Sequence, residues 1–193
     1  MKRLLQLGFV VGLFGTIAAA YFLPWFEYTR YRSATQVLAN GGRVERFIVQ
    51  LPADKLDSKV DAGLADGIGV RLQHFKLRDA EGHVIGIAAR HDLAGAETAW
   101  LLTIPSRGTI ALAASVGSAE PVESVVSAAG LGPGDRAEPA LSIDGVPTRS
   151  VSTTGEFAGI DIDMVETWVI SGVDEDGQVR GTLQLNTVGM LSI

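Results

Sequence analysis

Three histidines, His74, His83 and His91, are the side chains best suited to bind a metal ion or to transfer a proton, and Asp92 follows the third. The surrounding pattern predicts a β-hairpin in which His74 faces away from the other two. His83 and His91 are then separated along one strand by ~26 Å, at ~3.3 Å per residue. Because zinc ligands lie about 2 Å from the ion, we expect no metal site shared by these histidines.

Two groups of acids offer carboxylates for calcium, namely Asp161, Asp163 and Glu166, and the run from Asp174 to Asp176. Neither group has the EF-hand spacing, in which acidic ligands alternate before a glycine and a glutamate closes the loop. We interpret the first group as an exposed strand face and the second as a turn. The sequence therefore predicts no metal site.

Motifs for catalysis are equally scarce. The sequence has no cysteine, which excludes thiol catalysis, disulfides and cysteine-held metal clusters. It also has no G-x-S-x-G elbow, no H-E-x-x-H pair and no P-loop. We expect a protein that is not an enzyme and that has no cofactor. A hydrolase is the third hypothesis, with His83 or His91 beside a serine and a carboxylate in a cleft.

The elements that would position any site begin with an uncharged run from Leu4 to Leu23. As a helix, this run would span ~30 Å, the thickness of a bilayer's hydrocarbon core. It predicts a transmembrane signal-anchor helix in residues 1–23. Aromatic side chains gather at its far end and predict a membrane-interface belt: Tyr21, Phe22, Trp25, Phe26, Tyr28 and Tyr31.

The alternative for this segment is a signal peptide cleaved after Ala20, because Ala18-Ala19-Ala20 fits the small-residue cleavage pattern. Both interpretations export the rest of the chain. Lys2 and Arg3 favour a cytoplasmic amino terminus, although basic residues also follow the helix. We expect a single-pass protein of the inner (plasma) membrane whose C-terminal domain is periplasmic.

Small residues recur along the predicted helix and indicate a helix–helix interface: Gly8, Gly12, Gly15, Thr16 and Ala19. Small side chains allow two helix backbones to approach closely. This stripe predicts a membrane-protein partner or a homodimer formed through the helix. The alternative is that glycine is common in membrane helices in any case.

Composition indicates a globular protein for the remainder. The 193 residues are 47% hydrophobic and 20% charged, with a formal net charge of -6. These values argue against a disordered chain and against nucleic acid as a partner. Most of the excess acid follows Glu120. It would suit a basic partner surface, or a solvated face that aids solubility.

Residues 24–43 are interpreted as a juxtamembrane connector, and residues 44–193 as one β-rich domain. Val44–Leu51 alternates, with Phe47, Val49 and Leu51 on one face. Trp100–Ile104 and Thr109–Ala113 are apolar runs joined by a turn, and short helices are expected at 56–64 and 122–129. This pattern predicts an antiparallel β-sandwich or a partly open β-barrel with one or two short helices.

Two segments, 79–86 and 174–181, share the pattern D-x-acid-G-x-V-x-G. Each predicts a hairpin whose three-residue loop places glycine in the left-handed region. With continuous strands on either side, Phe75, Leu77, Ile85 and Ile87 share one face of the first hairpin. In the second hairpin the shared face carries Val169, Val173, Val179, Leu183 and Leu185.

Three functions follow from these features. The first is a non-enzymatic subunit or scaffold of a cell-envelope complex, held by its helix and presenting an acidic β domain. The alternative is a membrane-tethered β domain that binds a lipid or another apolar ligand in a cavity. The hydrolase described above is the third.

Overall fold

The computed structural model describes residues 36–37, 42–56, 70–93, 98–114 and 122–191. Within this part of the chain, no helix is long and apolar enough to cross a membrane. The elements in chain order are β1 (Gln36–Val37), β2 (Arg43–Leu51), β3 (Lys55–Leu56), β4 (Val70–Arg78), β5 (Val84–Leu93), β6 (Thr98–Ile104), β7 (Gly108–Ala114), α1 (Val122–Ala128), β8 (Arg136–Asp144), β9 (Thr148–Thr153), a 3-10 turn (Gly155–Phe157), β10 (Ile160–Val173) and β11 (Val179–Leu191).

Eight strands close into an antiparallel barrel in the order β2-β4-β5-β6-β7-β9-β10-β11. The last strand, β11, pairs with β2 from Gly181 opposite Leu51 to Gly189 opposite Arg43. The pairing of Ile48 with Arg78 joins β2 to β4 and completes the ring. Of the two architectures that the sequence left open, the barrel is confirmed, although it is closed rather than partly open.

The three remaining strands extend this ring. β3 continues β2 along β4, with Lys55 opposite Phe75, and β8 continues β9 along β10, with Ile143 opposite Trp168. β1 pairs with the start of β2, with Gln36 opposite Val44. This pairing places Gln36 and Val37 in the sheet, although the sequence assigned both residues to the connector.

Because neighbouring strands are antiparallel, the barrel has two ends with different turns. The lower end carries the turns at 79–83, 105–107 and 154–159. The upper end carries the β10–β11 turn at 174–178 and the ends of β2 and β5. Helix α1 lies at the upper end, where Val122 and Val126 are buried against the core.

Side chains alternate between the barrel interior and its outer face. β2 buries Phe47 and Val49 as predicted, and Leu51 packs half-buried against the core. Each fully buried Leu, Ile or Phe contributes roughly 1.5–3 kcal/mol through removal from water. The five aromatic residues that follow Tyr31 are all buried: Phe47, Phe75, Trp100, Phe157 and Trp168.

The two predicted helices have different outcomes. The helix at Val122–Ala128 is confirmed, and it ends where Gly130 adopts a positive φ of 73°. Residues 57–69 lie outside the described part of the chain, so the other predicted helix is not tested there. Its first residue, Leu56, belongs to β3.

Both predicted hairpin loops are confirmed, since Gly82 and Gly177 have positive φ and donate to the carbonyls of Asp79 and Asp174. The predicted face of the first hairpin is confirmed for Phe75, Leu77 and Ile85, which are buried, and wrong for Ile87. Leu77 pairs with Gly86 and Arg78 pairs with Val84, so Ile85 is an extra residue in β5. This β-bulge reverses the alternation, because each later residue of β5 faces the opposite side.

The reversal has two consequences. Ile87 is 48% exposed, whereas Ile85 is buried. His74 lies opposite Ala89, and His91 lies opposite Leu72, so both histidines are on the outer face. The prediction that His74 faces away from His91 is therefore wrong.

An equivalent bulge interrupts the second hairpin at Ser171, between the pairs Ile170–Gly181 and Gly172–Arg180. Val173 stays inside with Leu183, but Val169 faces outward, opposite Thr182. Trp168 takes the interior position that the prediction gave to Val169.

Candidate functional site

Arg90 lies inside the upper end of the barrel, with only 3% of its surface exposed. Its Nε donates a hydrogen bond to Asp92 Oδ1 over 3.1 Å, and Nη2 lies 3.4 Å from Glu166 Oε1. Thr98 Oγ1 also donates to Asp92 Oδ1. A single guanidinium therefore joins two carboxylates from different strands, β5 and β10.

Two tryptophans enclose this guanidinium. The Arg90 Cζ atom lies 5.8 Å from the centre of the Trp100 ring and 5.5 Å from that of Trp168, within the range of cation–π attraction. Trp100 Nε1 donates to Glu166 Oε2 over 3.1 Å. We call Arg90, Asp92, Glu166, Trp100 and Trp168 the Arg90 cluster. Its members lie on three different strands, so the barrel must form before the cluster does.

Glu166 has the most strongly perturbed environment in this cluster. Burial raises the pKa of its carboxyl group, and the positive charge of Arg90 lowers it. The negative charge of Asp92 raises the pKa again, while the Trp100 and Trp168 N–H groups lower it. The net direction is upward, because burial penalises the charged form more than its partners stabilise it.

A cavity of about 130 Å³ opens beside the Arg90 cluster at the upper end of the barrel. An apolar cavity of roughly 150 Å³ holds a benzene molecule, so this space accepts one ring or a short alkyl chain. Its lining combines apolar and polar residues from six strands, α1 and the β2–β3 and β10–β11 turns: Leu51, Pro52, Lys55, Gln73, Phe75, Arg90, Asp92, Val122, Trp168, Gly177, Gln178 and Val179.

One rim of this upper cavity is fixed by the buried carboxylate of Asp54. Its Oδ2 accepts hydrogen bonds from the Gln50 amide and Arg78 Nε, and its Oδ1 accepts one from Arg78 Nη2. Burial raises the pKa of Asp54, but the bonds from Arg78 and Gln50 and the nearby positive charges lower it further, below its ordinary value. The turn that carries Leu51 and Pro52 is thereby tied to β4.

The lower end of the barrel is closed by a second buried ion pair. Arg107 donates from Nη1 and Nη2 to the two carboxylate oxygens of Glu45, each over 2.7 Å, and from Nε to Glu156 over 3.0 Å. Its guanidinium lies 4.7 Å from the centre of the Phe157 ring. These contacts tie β2 to the β6–β7 turn at the lower end, where the cavity beside Glu45 and Phe157 measures only about 10 Å³.

The described lining of this cavity includes none of His74, His83 and His91, although it includes Asp92, which follows His91 in the sequence. The proposed helix interface (Gly8, Gly12, Gly15, Thr16, Ala19) and the aromatic belt (Tyr21 to Tyr31) lie outside the described residues. His83 lies in the lower β4–β5 turn, where its imidazole ring and the carboxylates of Asp79 and Glu81 offer ligand atoms within 4.8 Å of one another. Asp79 accepts hydrogen bonds from the His83 amide and ring, which stabilise the turn.

Sequence reasoning missed Arg90 and misplaced Glu166. It grouped Glu166 with Asp161 and Asp163 on an exposed face, but Glu166 is only 2% exposed. The signal was present, because Glu166 takes its place in the alternation of Met164, Glu166 and Trp168 that marks the interior face of β10. An acid at an apolar position of a strand indicates a buried partner, here Arg90.

Comparison with models of known protein families and with curated proteins gives no match for this chain.

Proposed function

We propose that this protein is a membrane-tethered binding protein that holds the apolar end of a small amphipathic molecule in the upper cavity. The observation that carries the proposal is the cavity itself, which opens at one end of a closed barrel. An eight-stranded barrel has an interior just wide enough for side chains or one small ligand. Here side chains fill the lower part, and space is left at the upper end.

The chemistry of the lining supports this role. Phe75, Trp168 and Val179 supply apolar surface, while Arg90, Lys55 and Gln178 supply polar atoms at one side. Binding sites for small molecules combine a mostly apolar wall with a few polar groups that fix orientation. At about 130 Å³ the cavity takes only part of a lipid-sized molecule, so the rest of the ligand would extend from the barrel.

The predicted signal-anchor helix gives this binding domain its location. We infer that residues 1–23 hold the barrel at the periplasmic face of the inner membrane. An amphipathic ligand partitions into that surface, so a tethered barrel would meet it at high local concentration.

Isothermal titration of the full-length protein in nanodiscs tests the proposal, with empty nanodiscs as the blank. The probes are primary alcohols from butanol to decanol. We expect the affinity to rise up to about six carbons and then to level off, because a cavity of this size accepts roughly that length. If every alcohol gave the same heat with the protein as with empty nanodiscs, that result would contradict the proposal.

A matched pair of variants locates the binding. Val179 lines the cavity and Val188 lies on the outer face of the same strand, where it is 36% exposed. Val179→Phe fills the cavity and should weaken hexanol binding at least tenfold, whereas Val188→Phe should leave it unchanged. If both variants weakened hexanol binding equally, the alcohol would bind outside the upper cavity.

A second candidate function is the subunit of an envelope complex that the sequence favoured. Val165, Val188 and Met190 are exposed in a row on the outer face of β10 and β11, and such apolar rows are common at protein contacts. Crosslinking in native membranes should then give a defined adduct that Val188→Lys removes. Val84→Lys, at another exposed valine, should leave the adduct in place.

A further inference from the structure

The guanidinium of Arg90 retains donors that its protein partners do not use. An arginine has five N–H donors on three nitrogens. Nε bonds Asp92 and Nη2 lies beside Glu166. Among the residues that the structure describes, none accepts a hydrogen bond from Nη1. Arg90 is nevertheless buried and is one of the residues that line the upper cavity, so its remaining donors are available to a ligand that binds there.

We propose that the upper cavity binds a carboxylate attached to an apolar group, with the carboxylate held by Arg90 and Lys55. This inference rests on the proposed function and names the chemical class of its ligand. Guanidinium groups match carboxylates in shape and donate charge-assisted hydrogen bonds to them. Lys55, exposed at the rim, would supply a second positive charge on a flexible stem.

The charges that line the cavity favour an anion. Among the described residues that line the cavity, Lys55 and Arg90 are positive and Asp92 is the single acid. Both Arg90 and Thr98 already donate to Asp92 Oδ1, which reduces the attraction of this carboxylate for a ligand cation. Glu175 and Asp176 lie nearby in the β10–β11 turn, but they are exposed, and water and salt screen their charge.

Glu166 lies behind Arg90 rather than in the lining. Because burial raises the pKa of Glu166, this carboxyl keeps its proton to a higher pH than an exposed acid does.

The Arg90 guanidinium is also fixed in place before any ligand arrives. Asp92 holds Nε, and the Trp100 and Trp168 rings lie within 5.8 Å of Cζ. A side chain that is already ordered loses little conformational entropy on binding. Trp168 and Phe75 line the cavity and offer apolar surface for the group that carries the carboxylate. The cavity volume of about 130 Å³ matches an alkyl chain or ring of roughly six carbons.

The test compares three probes that share one alkyl chain: hexanoate, hexanol and hexylamine. Each is titrated into the full-length protein in nanodiscs of zwitterionic lipid at pH 7, with empty nanodiscs as the blank. We expect hexanoate to bind at least tenfold more tightly than hexanol, and hexylamine more weakly than either. Palmitate is a fourth probe. Tighter binding of palmitate than of hexanoate would indicate a membrane fatty acid, and weaker binding a water-soluble acid, and the inference includes both.

Variants at two lysines leave the residues of the Arg90 cluster unchanged, since Lys55 is exposed and Lys76 is half-buried on β4. Lys55→Gln should weaken hexanoate binding threefold to tenfold and leave hexanol binding unchanged. Lys76→Gln, on β4 and outside the cavity lining, is the matched control and should change neither. An equal loss for both lysine variants would contradict a direct contact from Lys55.

The possible failures can be told apart. Equal binding of hexanoate and hexanol, or tighter binding of hexylamine, would overturn the carboxylate inference and leave the binding function intact. If no probe gave heat above the blank, the proposed function would fail together with the inference.

Discussion

Arg90 and Glu166 are both almost fully buried, yet their closest charged atoms lie 3.4 Å apart. Charge-assisted hydrogen bonds between nitrogen and a carboxylate are shorter, at about 2.7–2.9 Å. The pair therefore recovers only part of the cost of burying Glu166, in agreement with the upward direction of its pKa. This residual cost makes the stability of the barrel sensitive to pH.

The first prediction concerns Glu166→Gln. In the wild type, the unfolded chain ionises this acid at its ordinary pKa of 4.5, while the folded protein holds the proton to higher pH. Between these two values the folded state binds more protons, so the unfolding free energy falls as the pH rises. Below the ordinary pKa both states hold the proton, so Glu166 no longer changes the unfolding free energy as the pH varies. In the glutamine variant, the decrease in unfolding free energy that Glu166 causes with rising pH should be absent.

Urea unfolding from pH 4 to 8 at constant ionic strength measures the effect. We compare the unfolding free energies of the two proteins at each pH. The value for the variant minus that for the wild type should rise with rising pH. Glu175→Gln, in an exposed turn, serves as the control and should show a flat difference. If the difference for Glu166→Gln were also independent of pH, the raised pKa of Glu166 would be disproved.

The second prediction concerns the ion pair at the lower end. Arg107→Met should lower the unfolding free energy by roughly 3–5 kcal/mol, because Glu45 would remain buried without its partner. The double variant Arg107→Met/Glu45→Leu should recover much of that loss, since neither charge is then buried. Chemical denaturation of the three proteins gives the comparison.

Arg149 provides a contrast to Arg107. Its pair with Asp163 is exposed, with 72% and 59% of the two side chains accessible. Exposed pairs contribute little to stability, so Arg149→Met should leave the denaturation midpoint where it is.

If the double variant Arg107→Met/Glu45→Leu proved less stable than Arg107→Met alone, Glu45 would have a further stabilising partner.

How far the sequence predicts this fold is clear from its two hairpins. The turn residues Asp79, Gly82, Asp174 and Gly177 specify loop length locally, so both loops were predictable. The bulges at Ile85 and Ser171 were not, because an extra residue is accommodated by contacts with neighbouring strands. In each hairpin one unpredicted residue reversed the alternation, which gave wrong positions to Ile87 and His91 in the first hairpin and to Val169 in the second.

The cavity was harder to predict than the strands. Barrel closure depends on the pairing of Ile48 with Arg78, which no local pattern encodes. Only after closure do Arg90 from β5 and Glu166 from β10 meet. The alternation along β10 marks Glu166 as an interior residue, a signal that the sequence interpretation missed, but its partner and the adjacent space follow only from the three-dimensional ring.

The third prediction concerns the last glycine of the repeated pattern. A Cβ atom at Gly181 would overlap the backbone oxygen of Val169 on the paired strand. Gly181→Ala should therefore separate β10 from β11 beside the cavity and lower stability strongly. At Gly177 an added Cβ meets nothing within 4 Å, and only the positive φ of 80° is unfavourable.

Gly177→Ala is accordingly the matched control, with an expected cost of roughly 1–2 kcal/mol for a left-handed residue. Gly181→Ala should cost at least twice as much in a thermal or urea denaturation. Amide exchange should also increase along 168–170 and 181–183 in the Gly181 variant alone. Similar costs at the two positions would mean that β10 moves away from Gly181 without loss of packing.

The fourth prediction concerns the proposed membrane helix. Gly12→Leu adds bulk where two helix backbones should nearly touch, and contacts between membrane helices contribute only ~1 kcal/mol each. One clash can therefore remove most of the association. We expect crosslinked dimer, or recovery of a membrane partner, to fall several-fold in Gly12→Leu. The melting temperature of the barrel should not change, because the barrel buries its own core.

Leu13→Ala is the control for that experiment, since position 13 points away from position 12 around a helix. It should leave association at the wild-type level. Hexanol binding by the barrel should also be unchanged in Gly12→Leu, which separates the two proposed functions. Loss of binding together with loss of association would mean that the upper cavity is complete only in the assembled complex. If association survived Gly12→Leu, the small-residue stripe would be ordinary membrane-helix composition, and the helix would serve as a tether alone.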